Sequence, residues 1–373
     1  MKRLHILHSE AATGWGGQEI RVFQECQLLL ERGHRVSIVC QPGSSLGIKC
    51  SQWSHPDFTY IPLVMKRPFS LPTLFSLAKI ITKAQPDLLH SHSSIDSWLI
   101  ALTGNFLHVP IIRSRHVKIP IHNHIFNRWL YATAPRRILT SGEGIANLVS
   151  EQAGVAADKI KSIPAGVDFR RFDFKISGEK IRAELGLSPQ QPLIGKIAVI
   201  RGWKGHNYFI DSAPLVLKKF PDAHFVVVGS GPGYDDICNR VKSHGLGKSI
   251  SVLGHREDIP EIMAALDIHC VASFAVEGTT QVIPQAFAMK TPVVSTRVDS
   301  ILPILGNGER GILVGLKSAE EIAEGIMKIL NNPKLAQEMV EKAYTYCQKE
   351  LGVDTMMDQT IAAYHEALND SSS

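Results

Sequence analysis

Six cysteines in 373 residues (Cys26, Cys40, Cys50, Cys238, Cys270 and Cys347) lack the paired spacing of a zinc site or a disulfide framework. Such scatter suits a reducing compartment, and the cytoplasm is the expected location. Long apolar runs are missing too. The longest uncharged stretch, 97–112, contains Gly, Asn, His and Pro and is too short to cross a bilayer. The opening MKRLHILHSEAATG has an apolar core of only four residues, which does not read as a signal peptide and fits a first β-strand. Short repeats and low-complexity segments are likewise absent. What is present is a balance of 44% hydrophobic and 20% charged residues, which excludes a disordered chain. The length suffices for two domains, each with its own core.

Charge is unevenly placed. Up to Lys161 there are 18 Lys and Arg against 10 Asp and Glu, whereas the remainder has 22 against 25. A basic first half suits an anionic partner such as nucleic acid, a phosphorylated lipid or a membrane surface, or else a solvated basic face. No base-stacking motif accompanies the cations, which argues against nucleic acid.

Short apolar runs alternate with helical stretches along the whole chain. RLHILHS and RVSIVC flank QEIRVFQECQLLLERGH, whose helix is expected to stop at Gly33. PDLLHSH, PIIRSRH and RRILTSG continue the series. A second series follows residue 177, with PLIGKIAVI, AHFVVVGSG, SISVLGH, DIHCVAS and TPVVST as strands. Alternation of this kind implies βαβ units and parallel sheets. The turn-rich KSIPAGVDFRRFDFKISG between the two series reads as a linker. The expectation is an α/β protein of two Rossmann-like, doubly wound domains facing a central cleft, 1–168 and 169–352. A last helix, 353–370, is expected to pack back on the first domain.

Several loops that follow strands carry residues suited to an anion. Gly14, Gly16 and Gly17 in ATGWGGQEIR come directly after the first strand, where glycine permits positive φ and close approach of a ligand; a tight strand-to-helix turn explains them equally well. Their spacing is not that of a dinucleotide fingerprint. IRGWKGHNYF places Arg201, Lys204 and Gly205 after the first strand of the second series, a position suited to a diphosphate. Gly229, Gly231 and Gly233 in VVVGSGPG and Arg256 in LGHREDIP occupy the following loops. In VEGTTQVIPQAFAMKTPVVST, Glu277, Gly278, Thr279 and Thr280 precede a helix expected to begin near Gln281, with Thr279 or Thr280 as its cap. Carboxylate at 277 and carboxamide at Gln285 would bracket a ligand bearing hydroxyls. His90 with His92, and His122 with His124, have the spacing of metal ligands, but no third ligand stands near either pair in the sequence.

These segments, in this order, resemble the retaining, nucleotide-sugar-dependent glycosyltransferases of family 4. The resemblance rests on GWGGQE, PDLLHSH, IPAGVDFRRF, KGH at 204–206, VVVGSGP and EGTTQVIPQAFAMKTPVVST, and it covers nearly the whole chain. It implies the GT-B architecture, with an acceptor-binding first domain and a donor-binding second domain. The activity it implies is hexosyltransferase-like, moving a sugar from a nucleoside diphosphate to a glycan or lipid-linked acceptor. It implies retention of configuration and no required metal or other cofactor; the chain has no D-x-D motif.

By this resemblance Gly16 and Gly17 approach the donor phosphates, His116 stands near the reacting sugar, and Lys204 neutralises the departing diphosphate. Glu277 contacts sugar hydroxyls, and Gly278, Thr279 and Thr280 offer amides. Two positions depart from the family pattern. Gln285 stands where a ribose-binding glutamate is expected, and Val199 where an arginine is expected, with Arg201 in its stead. The expected setting is synthesis of envelope polysaccharide or lipopolysaccharide.

KRPFSLPTLFSLAKIITKAQ and RHVKIPIHNHIFNRWLYATAPRR mix cations with large apolar residues. They fit either peripheral attachment to an anionic membrane, on the inner face of the plasma membrane, or ordinary helices packed on a sheet. The competing functions are a nucleotide-sugar epimerase, which would turn over without acceptor, and a nucleotide-sugar-binding protein without transferase activity.

Overall fold

A computed structural model describes residues 2–275 and 280–370. The chain divides into two compact units, the first made of residues up to Ala165 and from Met356 onward, the second of Gly166–Thr355. Each is built on one parallel sheet. In the first, strands β1 (His5–Glu10), β2 (Arg35–Cys40), β3 (Phe58–Pro62), β4 (Leu88–Ser91), β5 (Ile111–Arg115), β6 (Arg137–Thr140) and β7 (Ile160–Ser162) lie in the order β3-β2-β1-β4-β5-β6-β7. In the second, β8 (Leu193–Ile197), β9 (His224–Val228), β10 (Ile250–Gly254), β11 (Ile268–Val271), β12 (Val293–Thr296) and β13 (Ile312–Val314) lie in the order β10-β9-β8-β11-β12-β13.

Helices cover both faces, so the inner strands bury side chains on both sides and read as continuous apolar runs. In β9, Phe225 and Val227 enter one core with Phe209 and Ile268, while Val226 and Val228 enter the other with Ile283 and Phe287. Strand order reverses between β1 and β4 in the first sheet and between β8 and β11 in the second. Doubly wound sheets open a crevice at such reversals, past the carboxyl ends of the strands.

The last helix, Val353–Asn369, anchors to the first unit. Glu366 pairs with Arg137 and Lys161 at 3.2 Å each, and the Tyr364 hydroxyl lies 2.8 Å from His90 Nδ1. All six cysteines are free. Among the described residues no helix is long and apolar enough to cross a membrane.

Candidate functional site

At the reversal of the first sheet, the loop after β1 runs through Gly14 and Gly16 into the helix Gly17–Glu31. Gly16 is the N-cap with φ −144°, ordinary extended backbone, and its N–H donates to Glu19 Oε2 at 2.8 Å. Positive φ, expected for these glycines, is therefore not the reason for them. Space is the better explanation. A Cβ at Gly14 would meet nothing within 4 Å, and one at Gly16 would meet only Glu19, so nothing in the protein demands glycine there.

The loop after β4 is held by Asp96, which accepts from the His92 and Ser93 amides and from the Ser9 hydroxyl, each at 2.9 Å. Ser93 thereby starts the helix Ser94–Phe106 with a reciprocal cap. His116 follows β5 and is half-buried, with Nε2 3.3 Å from His92 Nδ1. His92 Nε2 lies 2.9 Å from His8 Nδ1, so three imidazoles form a hydrogen-bonded row. Burial, with Arg21 as a lesser cause, pushes His116 down to about 3; burial alone does the same to His8. The row is therefore neutral at physiological pH.

Glu10 ends β1, fully buried, accepting from the Ala12 amide at 2.8 Å and the Gln18 carboxamide at 2.6 Å. Burial, then the nearby Asp96 carboxylate, raises its pKa to about 8. Sequence reasoning missed Glu10, Asp96 and His8. The available signal was positional, because Glu10 closes a buried strand and Asp96 is the third residue of a helix behind Ser93.

In the second sheet Arg201 and Lys204, Gly229, and Thr280 with Gln285 follow three adjacent strands, β8, β9 and β11 respectively. Arg201 is exposed, its guanidinium 5.5 Å from the Trp203 ring, and Lys204 closes a short 3-10 turn, Gly202–Lys204. Gly205 has φ +67°, and a Cβ there would lie 2.0 Å from the Ala272 carbonyl, so this turn can sit against β11 only as glycine. The Phe274 amide donates to the Trp203 carbonyl at 2.9 Å, tying the loops after β8 and β11 together. Gly229 sits against the Ala198 carbonyl in the same way, at φ +142°.

Val199 is exposed beside these groups. Thr280 is buried and Gln285 half-buried. The helix Val282–Ala288 has Gln281, not Thr280, at its N-cap, without a side-chain cap hydrogen bond. Glu277, Gly278 and Thr279 lie outside the described residues. Arg256 follows β10, the outermost strand, where both arms of its guanidinium are engaged by Glu184 and Asp258 at 2.6–3.0 Å.

Two family models match the chain in tandem. The model for glycosyltransferase family 4 takes residues 15–171, and that for glycosyl transferases group 1 takes residues 177–346. Among curated proteins, the chain is 25% identical over 353 residues to the phosphatidyl-myo-inositol mannosyltransferase of Mycobacterium tuberculosis, covering 87% of this chain and 86% of that protein. It is 22% identical over 354 residues, 89% of each protein, to an Escherichia coli UDP-Gal:alpha-D-GlcNAc-diphosphoundecaprenol alpha-1,3-galactosyltransferase.

Among solved structures, a Rickettsia africae glycosyltransferase superposes with a TM-score of 0.89 at 22% identity over 99% of both chains. HepE of Anabaena in complex with UDP superposes with a TM-score of 0.84 at 19% identity, covering 97% of this chain and 100% of that one. With two parallel sheets of this order and both family models in succession, the chain belongs to glycosyltransferase family 4 and is a glycosyltransferase of the GT-B fold.

Proposed function

We propose that this glycosyltransferase moves a sugar, with retention, from a nucleoside diphosphate to a glycan or lipid-linked acceptor during synthesis of envelope polysaccharide or lipopolysaccharide. The second unit takes the donor and the first unit the acceptor. One observation carries the reading: Lys204, Arg201 and glycine-lined backbone collect where the order of the second sheet reverses. The relatives support the substrate classes. HepE has been solved with UDP-glucose, and the Escherichia coli and Mycobacterium relatives are named for lipid-linked acceptors.

The chemistry follows from charge. Cleavage of the bond between the anomeric carbon and the diphosphate oxygen leaves positive charge on the sugar ring and negative charge on the departing phosphate. Lys204 and Arg201 stabilise the latter, as preorganised charge aimed at the transition state. The departing phosphate oxygen takes the proton of the acceptor hydroxyl, and that hydroxyl oxygen bonds to the anomeric carbon on the same face. Within the second unit, Glu277 holds the sugar, and Gly229, Gly278, Thr279, Thr280 and Gln285 line the donor. No metal enters this scheme.

Peripheral contact of a cytoplasmic enzyme with an anionic membrane belongs to the same proposal. In the helix Leu71–Ala84, Thr73, Leu77 and Ile81 are buried, while Leu71 and Phe75 are about 70% exposed on the other side. Phe69, Ile125 and Phe126 are exposed as well, and Lys66, Arg67 and Arg128 stand beside them in the sequence. Apolar side chains flanked by cations suit insertion at an anionic lipid surface.

A thermal-shift screen of UDP, GDP and ADP with their sugars tests the donor half. A ligand that binds only the folded state raises the melting temperature, and no shift with any of them would overturn this half of the proposal.

A further inference from the structure

We propose that His8, His90, His92 and Glu25 form a zinc site inside the first unit, one hydrogen bond behind His116. The sequence offered His90 and His92 as a pair lacking a third ligand; the fold supplies two more. His8 comes from β1, the histidine pair from the end of β4, and Glu25 from the helix Gly17–Glu31. One ligand atom of each lies within 4.8 Å of the other three, and all four side chains are buried. The site is empty.

Two of these atoms are otherwise unexplained. His8 Nε2 and Glu25 Oε2 are buried without a hydrogen-bond partner, a costly arrangement for a native interior. The remaining atoms are held as metal ligands usually are, through the group that does not face the ion. His90 Nε2 lies 2.8 Å from Ser114 Oγ, and His92 Nδ1 lies 3.3 Å from His116 Nε2. Glu25 Oε1 accepts from Arg21 Nε at 2.8 Å. That leaves His90 Nδ1, His92 Nε2, the unpartnered His8 Nε2 and Glu25 Oε2 for the ion.

His90 Nδ1 and Glu25 Oε2 are 4.0 Å apart, and His8 Nδ1 and His92 Nε2 are 2.9 Å apart. Zinc bonds of about 2.0–2.1 Å set tetrahedral ligand atoms roughly 3.3 Å apart, whereas the four atoms here lie within 4.8 Å of one another. Binding therefore draws the side chains inward. On binding, His92 Nε2 gives up its contact with His8 Nδ1, and His90 Nδ1 gives up the Tyr364 hydroxyl, in exchange for the ion. Three imidazole nitrogens and one carboxylate oxygen are a donor set that zinc accepts.

The test uses the full chain, stripped with a chelator, given equimolar zinc sulfate and passed through gel filtration. About one zinc per chain by mass spectrometry is expected, with a melting temperature several degrees above that of the stripped protein. Glu25→Gln and His8→Gln are expected to retain less than a tenth of an equivalent, whereas His122→Gln, on the surface, retains the full amount. Wild-type protein that elutes without zinc overturns the proposal, as does equal retention by Glu25→Gln. Should either variant lose its far-UV circular dichroism, the cobalt-loaded wild type decides: intense visible bands of a tetrahedral ion support the site, and the weak bands of a hexa-aquo-like ion overturn it.

Discussion

The Tyr364 hydroxyl lies 2.8 Å from Nδ1 of His90, a residue 274 positions earlier in the chain, and both side chains are fully buried. The ring of Tyr364 also meets the His90 ring edge-on, with centroids 5.6 Å apart. This pair fastens the C-terminal helix to β4. In protein stripped of zinc, Tyr364→Phe keeps the ring and removes only the hydroxyl, leaving His90 short of a partner. The expected loss is about 1–3 kcal/mol of stability, read as a lower urea midpoint.

Lys204 is half-buried at the end of a 3-10 turn, outside both hydrophobic cores. Lys204→Ala is expected to lower turnover about 100-fold or more while the melting temperature stays within a few degrees of wild type. Near-normal transfer from a donor that the wild type uses would remove Lys204 from the mechanism.

Gly205 is a different case, although it is the next residue. A methyl group there would stand 2.0 Å from the Ala272 carbonyl at a φ of +67°. Gly205→Ala is expected to cost at least about 2 kcal/mol and to displace the Lys204 turn, so that stability and transfer fall together. Thermal unfolding and an activity assay on the same preparation separate this outcome from that of Lys204→Ala.

The second unit carries a pH sensitivity of its own. His269 on β11 and His206 after Gly205 are both buried. Burial first, then Lys196, holds His269 down to about 3 and His206 down to about 2. Folded-state values below the unfolded one mean that the unfolded chain binds more protons between these limits. Stability is therefore complete above about pH 6.5 and falls as pH drops below it. The urea midpoint is expected to fall from pH 7.5 to pH 5, and to fall less in His269→Leu. Equal falls would show that His269 is not among the groups responsible.

Leu71 and Phe75 project from a helix whose other side is buried, so replacing them leaves the core intact. Leu71→Glu with Phe75→Glu is expected to reduce sedimentation with anionic vesicles at least tenfold without changing the melting temperature. Wild-type protein that sediments no better with anionic than with neutral vesicles would end the membrane proposal.

Much of the fold was legible because the inner strands of a parallel sheet are apolar on both sides. RVSIVC is β2 from end to end, and TPVVST contains β12. The strands that escaped notice, β3, β7 and β13, are all outermost in their sheets. In β3 and β7 polar residues interrupt the apolar ones (FTYIP and IKS), and β13 is only three residues, ILV; the start of the linker reading even overlapped β7. The Gly205 turn was legible as KGH, yet its reason, a carbonyl from another strand, was not.

The sequence by itself determined the alternation of strand and helix, the two series of strands and the motifs of the sugar-transfer machinery, since each is written in neighbouring residues. Tertiary structure alone decided which distant groups meet. His8, Glu25 and His90 converge in one buried cluster only because β1, β4 and a helix pack together, and Arg256 is claimed by Glu184 and Asp258. Local spacing constrains a residue's backbone. Burial, charge and hydrogen-bond partners come from segments far away in the chain, and they set what its side chain does.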